Sequence, residues 1–76
     1  MATGTVKWFD PDKGYGFIAI DGGRDIFFKA SAIMTDGYQM VEEGQRVEFK
    51  IEKHPHQEMH AERVVVIGLS PSRDIV

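Results

Sequence analysis

Two short runs decide the fold: Tyr15-Gly16-Phe17-Ile18-Ala19-Ile20 and Asp25-Ile26-Phe27-Phe28-Lys29. Both are rich in β-branched and aromatic residues, and turn formers bound them, Asp10-Pro11-Asp12 before the first and Asp21-Gly22-Gly23 between the two. Such runs read as β-strands joined by a tight connection. Side chains two apart on a strand share a face. Tyr15 and Phe17 therefore lie together, opposite Gly16, Ile18 and Ile20, while Phe27 and Lys29 lie opposite Ile26 and Phe28. Both faces of both strands carry large apolar groups. One face must fill a core, and the set Ile18, Ile20, Ile26 and Phe28 is the natural choice. That leaves Tyr15, Phe17 and Phe27 facing water, with Trp8 nearby on a preceding strand.

Outward from this pair, further strand-like segments run over Thr5–Phe9, Arg46–Lys53 and Ala61–Ile67. The fourth is a half-buried strand, with Val47, Phe49 and Ile51 on one face and Arg46, Glu48, Lys50 and Glu52 on the other. Five short strands with tight turns at Asp36-Gly37 and Glu43-Gly44 as well read as an all-β barrel or sandwich. Helical periodicity is lacking, and Ser31-Ala32-Ile33 is enough for one helical turn. The longest connection, from about Ala30 to Gln45, suits a barrel whose third strand crosses to a different sheet edge. Closure also removes exposed strand edges. Residues 1–68 form the domain and residues 69–76, with Ser70-Pro71-Ser72, read as a loosely held tail.

At 76 residues the chain holds one domain. A domain of this size buries only about 60% of the surface its unfolded chain exposes, so its stability is small. With no cysteine, neither a disulfide nor a zinc ribbon supplements the core. The N-terminal residues do not read as a signal peptide, and the longest apolar stretch, Val64 to Ile67, is too short for a bilayer. A cytoplasmic protein without a membrane partner is the expectation.

The net charge of −3 argues against generic polyanion binding, because sequence-independent phosphate affinity comes from Lys and Arg. An exposed aromatic cluster nevertheless needs a reason. Flat rings at sheet spacing form a platform on which unpaired bases stack, at roughly 1–3 kcal/mol per base. Gly14 and Gly16, flanking Tyr15, would let a ligand backbone approach and the strand twist. The alternative occupant of the rings is a protein partner or a second copy of the chain.

At these residues the chain resembles the cold-shock domain family. Lys13-Gly14-Tyr15-Gly16-Phe17-Ile18 is similar to its first RNA-binding motif and Asp25-Ile26-Phe27-Phe28-Lys29 to its second. Gly4-Thr5-Val6-Lys7-Trp8-Phe9, Ser31-Ala32-Ile33, Asp36-Gly37-Tyr38 and Glu42-Glu43-Gly44-Gln45 are family-like too, so the likeness runs from about Thr3 to Val66. It implies a five-stranded antiparallel Greek-key barrel of the oligonucleotide-binding (OB-fold) type. It also implies a partner, pyrimidine-rich single-stranded RNA and DNA, and a role as RNA chaperone or regulator of transcription and translation. By this resemblance Trp8, Tyr15, Phe17, Phe27 and Tyr38 stack on bases, Lys7 and Lys13 reach phosphates or base edges, and Phe9 borders the surface. Exposing Trp8 requires a bulge in strand one, since alternation alone places it with the core residue Val6.

Three departures stand out. Lys29 replaces the family's usual stacking histidine and Ala30 its usual phenylalanine, so base contacts weaken there while Lys29 meets a phosphate. The loop His54-Pro55-His56-Gln57-Glu58-Met59-His60 differs from the usual Gly- and Pro-containing one, and no ligand contact is assigned to it. Its histidines with Glu58 match no standard zinc spacing and read as a solvated loop, so neither metal nor cofactor is expected. Asp21, Asp25, Asp36, Glu42, Glu43, Glu48 and Glu52 read as turn formers and solvated strand faces. A filled small barrel offers no concave pocket for a carboxylate pair, and no catalytic residue is expected. The chain is read as a monomer, with a strand-exchanged or face-to-face dimer as the alternative.

Overall fold

The structure, a computed structural model, describes residues 1–34 and 40–69. Five strands, β1 (Ala2–Asp10), β2 (Tyr15–Ile20), β3 (Asp25–Lys29), β4 (Gln45–Glu52) and β5 (His60–Leu69), close into a barrel of order β1-β2-β3-β5-β4. The expected all-β five-stranded barrel is thus the fold. One pairing departs from the antiparallel rule: β3 and β5 run parallel, through Phe27 against His60 and Phe28 against Ala61. This is the crossing that the long connection after β3 makes necessary. That connection begins with a single 3-10 turn, Ala30–Ala32. Tyr38 and the Asp36-Gly37 turn lie outside the described residues, as do residues 70–76.

β2 and β3 have the bounds that alternation and turn residues predict. β1 begins earlier than its pattern indicates, because Ala2 to Thr5 pair with Phe49 to Arg46 of β4. β5 likewise gains residues at both ends through partners on β4, from His60 against Glu52 to Leu69 against Gln45. Non-local ladder bonds extend these strands beyond their apolar cores.

Val6, Ile18, Ile26, Phe28, Val47, Phe49, Ala61 and Val64 fill the barrel, joined by Ala32, Ile33 and Val41 from the segment between β3 and β4. Ile20 is half-buried at the edge of this cluster. Ile51 corrects the reading of β4: it is 42% exposed, beside Met1, Ala2 and Arg63. β4 carries no extra residue, so Ile51 keeps the phase of Val47 and Phe49 and opposes the buried Ala61, but it stands next to the last residue of β4, at the rim of the barrel, and stays exposed. The register shift between Glu48 and Lys50 is taken up on β5, where Arg63 adopts a left-handed φ of 54°.

A polar clasp holds the β2–β3 turn to β1 and β4. Both terminal nitrogens of Arg46 donate to the Asp21 carboxylate, at 2.7 and 2.5 Å, and Thr3 Oγ1 donates to it at 2.8 Å. Arg46 also donates to Thr5 Oγ1 at 2.9 Å. The Arg46 hydrogen bonds, seconded by Thr3, lower the Asp21 pKa from 3.8 to about 2. The clasp lies outside the barrel interior, on the strand ends away from Trp8.

Candidate nucleic-acid interface

The outer faces of β1, β2 and β3 bring four of the predicted rings, Trp8, Tyr15, Phe17 and Phe27, together. Residues directly opposite on paired strands share a face, and the register aligns Trp8 with Phe17 and Phe17 with Phe27. In the next row Tyr15 stands opposite Lys29. The ring centroids form a closed quadrilateral: Trp8–Tyr15 at 5.4 Å, Trp8–Phe17 at 5.5 Å, Tyr15–Phe27 at 5.6 Å and Phe17–Phe27 at 5.8 Å. Trp8 is 36% exposed, and Tyr15, Phe17 and Phe27 are half-buried. The rings pack against one another on the outside of the barrel, and each side chain keeps part of its surface in water. Tyr15, Phe17 and Phe27 are thus absent from the interior, where Phe28 and Phe49 are fully buried.

The bulge required to expose Trp8 is present. Val6 opposes Ile18 but Trp8 opposes Phe17, so Lys7 is the extra residue and the alternation of β1 flips across it. Val6 consequently enters the core, and Trp8 joins the outer face. Phe9 then points inward: it is half-buried and stacks on Phe28 with centroids 5.6 Å apart. The structure places it beneath the platform as support.

Gly16 has a different role from the expected one. It is buried, and a Cβ there would strike the Trp8 carbonyl oxygen and lie 2.9 Å from Phe9 Cα and 3.1 Å from Phe28 Cε1. The missing side chain admits the bulged backbone of β1 to the barrel, not a ligand. Gly14, with φ +79°, closes the β1–β2 turn, its N–H donating to the Asp10 carbonyl at 2.8 Å. The Asp10 carboxylate accepts the N–H groups of Asp12 and Lys13 in the same turn.

Three lysines surround the rings. Lys7, carried outward by the bulge, is ion-paired with Asp25 at 2.6 Å, both side chains largely exposed. Such a surface pair is worth about 0–1 kcal/mol, so a phosphate can displace Asp25. The amines of Lys13 and Lys29 make no ion pair among the described residues, and both side chains are exposed. Lys29 borders a groove between β3 and the β4–β5 hairpin, together with Phe17, Phe27, His54, Glu58 and His60. Local sequence patterns missed this groove wall, because His60 reaches Phe27 only through the parallel β3–β5 ladder. Among the described residues no group of three or more His, Asp or Glu is arranged to hold a metal ion, and no helix is long and apolar enough to cross a membrane.

Comparison with known proteins agrees with this geometry. Residues 2–67 match the family described as 'Cold-shock' DNA-binding domain. The chain is 53% identical over 53 residues to the major cold shock protein of Streptococcus pyogenes serotype M1, covering 70% of this chain and 79% of that protein. It is 55% identical over 56 residues to the cold shock-like protein CspA of Stigmatella aurantiaca, covering 72% and 82% respectively. Among solved structures, drosophila Unr CSD456 superposes with a TM-score of 0.70 at 17% identity, over 99% of this chain and 29% of that one, which is a likeness of fold. With its motifs in register on one exposed sheet, the chain belongs to the cold-shock DNA-binding domain family.

Proposed function

We propose that residues 1–68 bind single-stranded RNA and DNA by stacking unpaired bases on Trp8, Tyr15, Phe17 and Phe27, with Lys7, Lys13 and Lys29 meeting phosphates. The observation that carries this reading is the ring quadrilateral on the outside of a filled barrel. A protein of net charge −3 gains little from polyanions in general, so stacking must supply much of the affinity. A duplex keeps its bases stacked on one another and offers the rings little. The preference for open strands follows from that difference.

Such a binder acts as an RNA chaperone or as a regulator of transcription and translation without consuming ATP. Capturing the open strand shifts the folding equilibrium of an RNA by mass action. We place the activity in the cytoplasm, in a monomer without catalytic function, with a preference for pyrimidine-rich strands and with residues 69–76 as a short C-terminal tail to the binding domain. The test is Trp8 fluorescence titrated with homopolymeric single strands and one duplex at two salt concentrations. Quenching by oligothymidine but not by the duplex supports the reading. Absence of quenching at low salt, with a stable dimer in solution, would assign the rings to self-association instead.

A further inference from the structure

The ring row does not end at Phe27. Register carries it from Trp8 through Phe17 to Phe27, and the parallel ladder sets His60 of β5 beside Phe27. His54, across the β4–β5 hairpin, stacks on His60 with centroids 5.5 Å apart and planes 29° apart. Two imidazoles thus continue the row on the side where Lys29 and Ala30 provide no rings. The groove they border differs in charge from the rest of the interface. Glu58 and Glu62 line it, with Lys29 on the opposite bank. Glu62 contacts His60 Nε2 through one oxygen, Oε2, at 2.9 Å, and its other oxygen meets no hydrogen-bond donor among the described residues.

We propose that this groove is a further nucleotide subsite, in which the base lies against Phe27 and His60 and its edge donates to Glu62 and Glu58. The inference rests on the single-strand reading above. Carboxylates repel phosphate, so the group entering between them is a base edge, and Lys29 is left to hold the backbone. A carboxylate accepts hydrogen bonds and cannot donate, which favours a base presenting N–H groups. Guanine fits best, since its N1–H and 2-amino group point the same way and meet two acceptors together. Thymine presents one donor between two carbonyls, which would face the carboxylate unfavourably. The subsite therefore gives an interface that otherwise stacks any base a preference at one position.

The test measures binding of labelled hexathymidine and of six strands, each with a single guanine at a different position, to the full chain. In the unmodified protein, guanine at one position is expected to tighten binding about tenfold, the low end for a bidentate base contact. Glu62→Gln should abolish that gain while changing hexathymidine affinity by less than about twofold, and His54→Ala, in the exposed hairpin, should weaken the guanine strand about fivefold. Urea unfolding of each variant checks that the barrel is intact. The subsite is overturned if guanine helps at no position, or if the gain survives Glu62→Gln. Phe27→Ala separates the two levels: if it binds hexathymidine as well as the unmodified protein does, the platform reading fails, and the subsite with it.

Discussion

Phe27 and Phe28 are neighbours in sequence and opposites in role, so the pair of variants Phe27→Ala and Phe28→Ala separates function from folding. Phe27 is half-buried and touches Tyr15 and Phe17 on the outer face. Its removal forfeits two ring contacts, about 1–3 kcal/mol of stability at about 0.5–1.5 kcal/mol each. It also removes the central stacking surface, worth about 1–3 kcal/mol per base, so Kd should rise about 5- to 150-fold. Phe28 is fully buried and lies under Phe9 and beside Gly16. Truncating it costs about 3–5 kcal/mol, against a total of roughly 4–11 kcal/mol for a chain of this length. The assay is a hexathymidine titration read by Trp8 fluorescence, paired with urea unfolding. Trp8 contacts Tyr15 and Phe17 but not Phe27, so the reporter keeps its immediate surroundings. The reasoning is refuted if Phe27→Ala binds normally, or if it loses as much stability as Phe28→Ala.

Other consequences concern the clasp, the bulge and Lys29. Because folding lowers the Asp21 pKa from 3.8 to about 2, the unfolded chain takes up its proton first as acid is added. The stabilisation is complete above pH 3.8 and is lost as pH falls through about 2; Asp21→Asn should lose stability at neutral pH and show a shallower fall across that window, read by urea midpoints. Gly16→Ala forces a methyl into the β1 backbone and should cost about 3 kcal/mol or more, whereas Gly68→Ala, where a Cβ meets open space, should change the unfolding free energy by less than about 0.5 kcal/mol. Lys29→His, measured at pH 8, should reduce the slope of log K against log salt by about 0.7, the contribution of one phosphate contact on a single strand; an unchanged slope would remove Lys29 from the backbone contacts.

Much of this was legible because alternation is a strong constraint in a small barrel. Ile18, Ile26 and Phe28 had to be inside, and that sent Phe17 and Phe27 outside. What alternation could not supply was its own interruptions. Nothing in Val6-Lys7-Trp8 announces a bulge, and the inference of one depended on family likeness. The inward turn of Phe9 is the same interruption seen one residue later. Gly16 was misread for a related reason: a glycine between two outward rings suggests room for a ligand, but its own direction is inward, where β1 passes close by. Ile51 keeps the phase of the β4 pattern but stands next to the end of the strand, and alternation within a strand does not say where the core stops. His60 was legible as a loop residue and became part of the ring row only through a parallel pairing across more than thirty positions of chain.

The most direct test of base stacking is an NMR titration of ring protons with hexathymidine. The ring protons of Trp8, Tyr15, Phe17 and Phe27 should move upfield as bases settle face-on, while those of Phe49, in the barrel interior, stay in place. Shifts confined to lysine side chains, with the four outer rings unmoved at saturation, would contradict the account.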